Sequence, residues 1–340
     1  MKKEIDSKTL LQVSPLQPRR ANVLSTVALV LVAVAVLLPL LLADQPFTIV
    51  MFSHAFIAAM LAVSLDMLTG NTGLLSFGHA AWFGFGAYVA GLLARSLTAD
   101  LLLVLVMTAL PTLIFALIVG AIFLRQVGKT FAILTLAFSQ VLYSLVFVAG
   151  STTGGEDGLQ GVPAPTLFGI TLAGQNTWYW LLLGVLLAMI AGVLYLRSTP
   201  LGRAWLGLRD NAQRARFIGM DVFRLKLIAY AVSATLASLT GALFVLFNGA
   251  VTPEVLGWFQ SGKILMYVVL GGVGSVVGPA LGAIVFTFAE NAISSFTDAW
   301  MVYFGALFVI VVIVAPGGLY GLFEPLRAKL LARSGTEVDR

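Results

Sequence analysis

The sequence predicts an all-α polytopic membrane protein with about ten transmembrane helices, alternatively eight, and with both termini cytoplasmic. Three observations carry this expectation. The chain is 59% hydrophobic and 10% charged with a mean hydropathy of +1.00, which leaves too little polar surface to cover a soluble globule of 340 residues. Its apolar residues gather into runs of roughly 20, the length that crosses a hydrocarbon layer of about 30 Å. Its cations gather into short segments between those runs, the pattern left by retention of Lys and Arg on the cytoplasmic side.

Taken in order, residues 1–22 form a polar, basic segment (Lys2, Lys3, Lys8, Arg19, Arg20) and are placed inside. The apolar run from Val23 to Ala43 is longer than a signal-peptide core and lacks a small-x-small cleavage pattern, so it is expected to stay as an anchor. Further apolar runs lie at 48–68, 80–98, 101–124, 130–149, 177–197, 227–247 and 299–315. The Gly-rich stretch 263–297 either crosses twice, at about 263–277 and 279–297, or dips in and returns. Both options close a membrane domain at 23–315 and keep the tail 316–340, with Arg327, Lys329, Arg333 and Arg340, inside. On this count 18 of the 20 Lys and Arg residues are cytoplasmic, the exceptions being Arg95 and Lys263. No polar segment is long enough to carry a core of its own.

Several function classes drop out. The formal charge of +5 and the pI near 9.6 do not point to nucleic acid, because the cations sit in inter-span loops rather than on one basic domain. Cysteine is absent and there are two histidines, His54 and His79, so thiolate chemistry and a His-rich metal site are excluded, and no catalytic or metal-binding residue is assigned. Gly128, Lys129 and Thr130 imitate the end of a phosphate-binding loop, but Phe123 stands where that loop needs glycine. Gly272 and Gly274 follow no strand. The chain itself is expected to hold no cofactor and no ATP.

The most polar internal segment is 197–226, which carries seven cations (Arg197, Arg203, Arg209, Arg214, Arg216, Arg224, Lys226) against Asp210 and Asp221. It predicts a short helix over about Leu201 to Ile218, bounded by Pro200 and Gly219. Its apolar residues Trp205, Leu206, Leu208, Phe217 and Ile218 suit either a groove on a cytoplasmic protein or the surface of the membrane lipid. The stretch 64–91 has glycines at 70, 73, 78, 84, 86 and 91 and predicts a helix break between Gly70 and Gly78. Asn71, Thr72, Ser76 and His79 there are the candidate polar residues of a translocation path, against the plainer reading of a packing seam and a turn. A second cluster places Gly274, Gly278 and Gly282 on one face if the helix continues past Pro279, and predicts helix packing. Asp66 is expected to cap or pair locally. The acidic, turn-rich loop within 150–176 is placed outside, and Gly154, Gly155, Glu156, Asp157 and Gly158 form a candidate docking surface for a soluble partner.

Three blocks together resemble a known family: SLDMLTGNTGLLSFGHAAWFGFGAY at 64–88, TTGGEDGLQGVP at 152–163, and the run from Pro200 through Gly282. They are similar to the LivM-like permease subunits of branched-chain amino acid ABC importers, over most of the chain after about residue 50. The resemblance implies a bacterial inner-membrane permease that pairs with a second homologous permease, two cytoplasmic ATPase subunits that hold ATP and Mg, and a periplasmic substrate-binding protein. It also makes 197–226 the coupling loop, with Gly202, Arg203, Arg209, Ala215 and Gly219 as its candidate residues. Ala215 and Gly219 match the Ala-x-x-x-Gly core of the importer coupling motif, whereas Gln213 and Arg214 depart from it. LivM-like permeases also serve urea, amides and other amino acids, so the substrate stays open. The alternative is a stand-alone secondary carrier or channel, disfavoured by the scarcity of charges at mid-membrane and by the large basic loop.

Overall fold

The computed structural model describes residues 46–297 except Val127, together with scattered positions from 299 to 318. The expected N-terminal segment, the anchor at 23–43, most of the span at 299–315 and nearly all of the tail lie outside the described residues.

The described chain is built of helices: α1 Pro46–Thr72, α2 His79–Ser96, α3 Leu101–Phe123, α4 Lys129–Val148, the single turn α5 Gly150–Thr153, α6 Gln175–Ser198, α7 Pro200–Asp210, α8 Ala212–Phe217, α9 Val222–Asn248, α10 Trp258–Gly271 and α11 Val277–Ser294. A two-residue hairpin, β1 Thr166–Leu167 against β2 Ile170–Thr171, interrupts the α5–α6 connection. Among the described residues six helices, α1, α3, α4, α6, α9 and α11, are long and apolar enough to cross a membrane. This is a multi-pass helical membrane protein.

The packing is inside-out relative to a soluble bundle. Helix α3 turns Val104, Thr108, Thr112, Ala116 and Gly120 inward at four-residue spacing and leaves Leu103, Val106, Leu110, Ile114, Ile118 and Ile122 exposed. Large side chains face the lipid position because hydrocarbon solvates them as well as protein does, while small ones let helices approach. Helices α1, α2 and α9 form the centre, with α3 and α6 outside them. Two polar pairs cross this interior: Thr112 Oγ1 lies 2.8 Å from Ser238 Oγ, and Trp82 Nε1 donates to Tyr230 Oη at 3.1 Å.

The two ends of the bundle are each tied across the sequence. At one end the 150s loop joins the α9–α10 connection through Leu159 N to Val251 O and Val251 N to Leu159 O, both 2.9 Å. At the other end lie the α1–α2 turn, the α3–α4 and α10–α11 connections, and the α7–α8 segment.

Two expectations change. The polar segment is two helices, because Asn211 (φ −161°, ψ 103°) leaves the helical region and its side chain caps α8 by accepting from Arg214 N. Gly274 lies in the α10–α11 loop at φ 87°, off the packing face, where Gly278 and Gly282 instead meet α10 around Gly271 and Tyr267. Pro279 falls in the first turn of α11, where its missing N–H has no helical acceptor to lose.

The α2–α9 seam depends on glycine, since a Cβ at Gly241 would collide with the carbonyl oxygen of Phe83 and one at Gly86 with that of Ser238. Gly241→Val is therefore expected to cost about 1–3 kcal/mol by overpacking and to lower the melting temperature in detergent. Gly192→Ala, where the added Cβ meets nothing within 4 Å, should leave the same thermal denaturation curve unmoved.

Candidate functional site

The end carrying α7 and α8 is held together by one buried carboxylate. Asp66, 2% exposed on α1, accepts from Gly274 N at 2.6 Å and from Val276 N at 3.2 Å, so it seats the α10–α11 loop. That loop needs a fastener: Val276 sits at φ 62°, a conformation unfavourable for a β-branched residue. Two arginines reach the same place from the basic segment. Arg197 Nη1 donates to Gly274 O at 2.6 Å, and Arg209 Nη1 donates to Gly70 O at 2.5 Å, one turn beyond Asp66. One charged cluster thus joins the end of α1, the α10–α11 loop and the start and end of the α7 region.

Around this cluster the basic segment is itself anchored. Trp205 is fully buried and its Nε1 donates to Leu225 O at 2.8 Å. Leu208, Ala215 and Val222 pack into a small core, and Gly202 is buried where a Cβ would strike Leu196 O. Gly219 turns the chain at φ 83° with open space around it. Beyond this core Phe217 (89% exposed) and Ile218 (69%) stand out, and Arg203, Arg214 and Arg216 in the same segment are exposed as well. Apolar side chains displayed on a rigid basic platform are suited to a groove on another protein.

The predicted path residues flank the α1–α2 connection, Asn71 and Thr72 closing α1, Ser76 between the helices and His79 opening α2, and all four are buried. His79 Nε2 is 2.8 Å from Ser64 Oγ, Thr72 Oγ1 donates to Leu68 O, Asn71 Nδ2 donates to Met67 O, and Ser76 Oγ accepts from Gly78 N. Thr72 lines a cavity of about 570 Å³ beside Lys129, Arg209 and Lys226; none of the four lines the larger cavity described next.

That larger cavity, about 770 Å³, is lined from α1, α2, α4, α9, α10 and α11. Its polar lining includes His54, Gln140, Lys263 and Glu290, and its apolar lining includes Ile57, Leu61, Phe83 and Phe244. Thr252, Glu254, Val255 and Gly257 also line it, in a stretch that enters the bundle as a 3-10 turn (Pro253–Leu256) anchored by Ser139 Oγ on Leu256 O at 2.6 Å. Helix α10 starts only after this turn and has 14 residues, roughly 21 Å, too short to cross alone. Non-helical backbone inside a membrane bundle is tolerated where it lines a cavity. The sequence signal of this cavity is Lys263 and Glu290, two charges in otherwise apolar sequence.

At the opposite end, Glu156 and Asp157 are exposed on a 3-10 turn between Gly154 (φ 82°) and Gly158 (φ 73°). A Cβ at Gly154 would collide with Gly158 O, and one at Gly158 with Val251 O, so the glycines hold the acidic tip in one shape.

A helical membrane bundle with a cavity beside a short helix and a basic segment tied to one end has the layout a solute permease needs. Residues 47–315 match the family described as branched-chain amino acid transport system / permease component, and the chain belongs to that family. It is 30% identical over 303 residues to the high-affinity branched-chain amino acid transport system permease protein LivM of Escherichia coli K12, covering 82% of this chain and 71% of that protein. It is also 25% identical to LivH of the same organism, covering 77% and 91%. The autoinducer 2 import system permease protein LsrC of Photorhabdus laumondii is 30% identical over 164 residues, 46% of this chain and 47% of LsrC. No solved structure matches.

Removing the fastening carboxylate should loosen the loop it holds. Asp66→Ala gives up two charge-assisted hydrogen bonds, each worth about 1.5–3 kcal/mol. Hydrogen exchange at the Gly274 and Val276 amides is expected to accelerate roughly tenfold or more, with the α2–α9 seam unchanged.

Proposed function

We propose that this chain is the membrane-spanning permease subunit of an ATP-driven importer for branched-chain amino acids or related small polar solutes, working by alternating access. ATP and Mg are held and hydrolysed by two separate cytoplasmic ATPase subunits. A second homologous permease completes the membrane part, in keeping with the similarity of this chain to both LivM and LivH. A soluble binding protein delivers the solute on the other face. The complex resides in the bacterial inner membrane, with both termini and the α7–α8 end cytoplasmic, an orientation supported by the density of Lys and Arg at that end.

The observation that carries this reading is the attachment of the basic segment to the core through Arg197 and Arg209. A segment that only connected spans would not need its cations on the backbone of a broken helix and of a strained loop. A segment that delivers force would. In this reading Phe217 and Ile218 enter the ATPase surface, Ala215 and Gly219 set the shape of the turn behind them, and Arg203 faces the same partner. Closure of the ATPases on ATP displaces the loop, and Arg209 transmits the displacement to the end of α1. The turn bearing Asn71, Thr72, Ser76 and His79 then serves as the inner closure of the path. Glu156 and Asp157, presented by Gly154, Gly155 and Gly158, meet the binding protein.

Arg209→Glu places a carboxylate against the carbonyl oxygen of Gly70, and Gly219→Leu forces a side chain into a left-handed turn. In the assembled importer both variants are expected to retain ATP hydrolysis within roughly twofold while uptake falls roughly tenfold or more. Parallel ATPase and uptake assays in proteoliposomes check this. Uptake at the wild-type level in both would remove the coupling role, and wild-type uptake that survives ATP depletion would favour a stand-alone carrier.

A further inference from the structure

We propose that the Lys263 and Glu290 ion pair is a solute site inside the membrane, and that it takes a zwitterionic α-amino acid, with the solute carboxylate on Lys263 and its ammonium on Glu290. The proposal rests on the permease reading above and assigns the residues that handle the solute. Lys263 Nζ and Glu290 Oε1 are 2.7 Å apart, on neighbouring helices α10 and α11, with side chains 17% and 21% exposed. A buried pair adds little to stability over two apolar side chains of similar size, and charges inside a membrane bundle are costly, so a structural role alone is a weak reason for this one.

Its setting supplies the stronger reason. Both side chains line the cavity of about 770 Å³. Gln140 lines it too, and its Nε2 is buried without a hydrogen-bond partner, a donor available to a carboxylate. Ile57, Leu61 and Phe244 provide an apolar wall for a hydrocarbon side chain. The other titratable groups facing the cavity are His54, packed against Phe247 at 5.2 Å between ring centroids, Tyr143, Tyr267 and the exposed Glu254 at the 3-10 turn.

The chemistry of exchange fits a zwitterion. When the solute inserts between them, Lys263 and Glu290 each trade one opposite charge for another, so no buried charge is left unpaired. When it leaves, the pair closes on itself and the empty path holds no unbalanced charge at this point. A solute with one charge or none, such as an amine or an amide, would strand one or both partners.

The test uses the complete importer in proteoliposomes with radiolabelled leucine as the probe. Lys263→Met and Glu290→Gln are each expected to lower uptake roughly tenfold or more, while ATP hydrolysis stimulated by the binding protein stays within roughly twofold. The double variant Lys263→Met, Glu290→Met removes the pair without stranding a charge and is expected to assemble and hydrolyse ATP yet remain poor in uptake. Leucine uptake by the double variant equal to that of the wild type would overturn the site while leaving the permease reading intact. ATP-dependent uptake by the wild-type complex of urea or an amide but of no α-amino acid would overturn the site alone, and absence of any ATP-dependent uptake would overturn both.

Discussion

The carboxylate of Asp66 is the constraint on which the α7–α8 end depends. Burying an anion at the end of a central helix is costly unless its lone pairs are satisfied. Here two backbone N–H groups of one loop satisfy them, and the charges of Arg197 and Arg209 lie near enough to contribute. These contacts fix a loop of unfavourable backbone shape, since it contains Gly272 at φ 105°, Gly274 at φ 87° and Val276 at φ 62°. Arg197 and Arg209 donate to backbone carbonyls of two separate elements, those of Gly274 and Gly70. This arrangement joins three segments of chain.

The same economy governs the interior. Hydrophobic burial cannot drive helices together in lipid, so close approach and local hydrogen bonds carry the association. Glycines at 86 and 241 bring α2 and α9 backbone to backbone, and Ser233 Oγ donates to Ser64 O at 2.5 Å where α9 crosses α1. His79 is absorbed into this scheme through Ser64, which explains how an imidazole is buried at the start of a central helix. Where the packing opens, between α4, α10 and α11, the backbone also departs from helix, and the cavity lies there.

Much of this was legible in the sequence, and the parts that were not share a cause. Long apolar runs mark their helices because length and hydropathy are properties of a single segment, and the break after Gly70 was visible in glycine spacing for the same reason. The split of the basic segment at Asn211 was missed because Asn211 reads as an ordinary polar residue until its side chain is seen capping α8. Gly274 was grouped with Gly278 and Gly282 because a four-residue spacing carries no sign of whether the helix continues. Local capping was foreseen for Asp66, but its acceptor role lies more than 200 residues away along the chain. Lys263 and Glu290 stand 27 positions apart in different helices, and no one-dimensional period relates them.

The two charged clusters are mechanically related through α10 and α11. The loop held by Asp66 and Arg197 is the five-residue connection 272–276 between the two helices that carry Lys263 and Glu290. Gly274 is held in this short connection by Asp66 and Arg197, so a shift of that anchor is expected to move the ends of both helices. Lys263 lies eight residues before Gly271, roughly 12 Å along α10, and Glu290 thirteen residues after Val277, roughly 20 Å along α11. A change in the angle between the helices at the loop is therefore enlarged at the pair, where an ion pair 2.7 Å apart needs only a small separation to admit a ligand. In the proposed importer the loop beneath the membrane would thus act on the solute site through the one connection that Asp66 and Arg197 both grip. Arg209, on the carbonyl of Gly70, sets the end of α1 against which that connection moves.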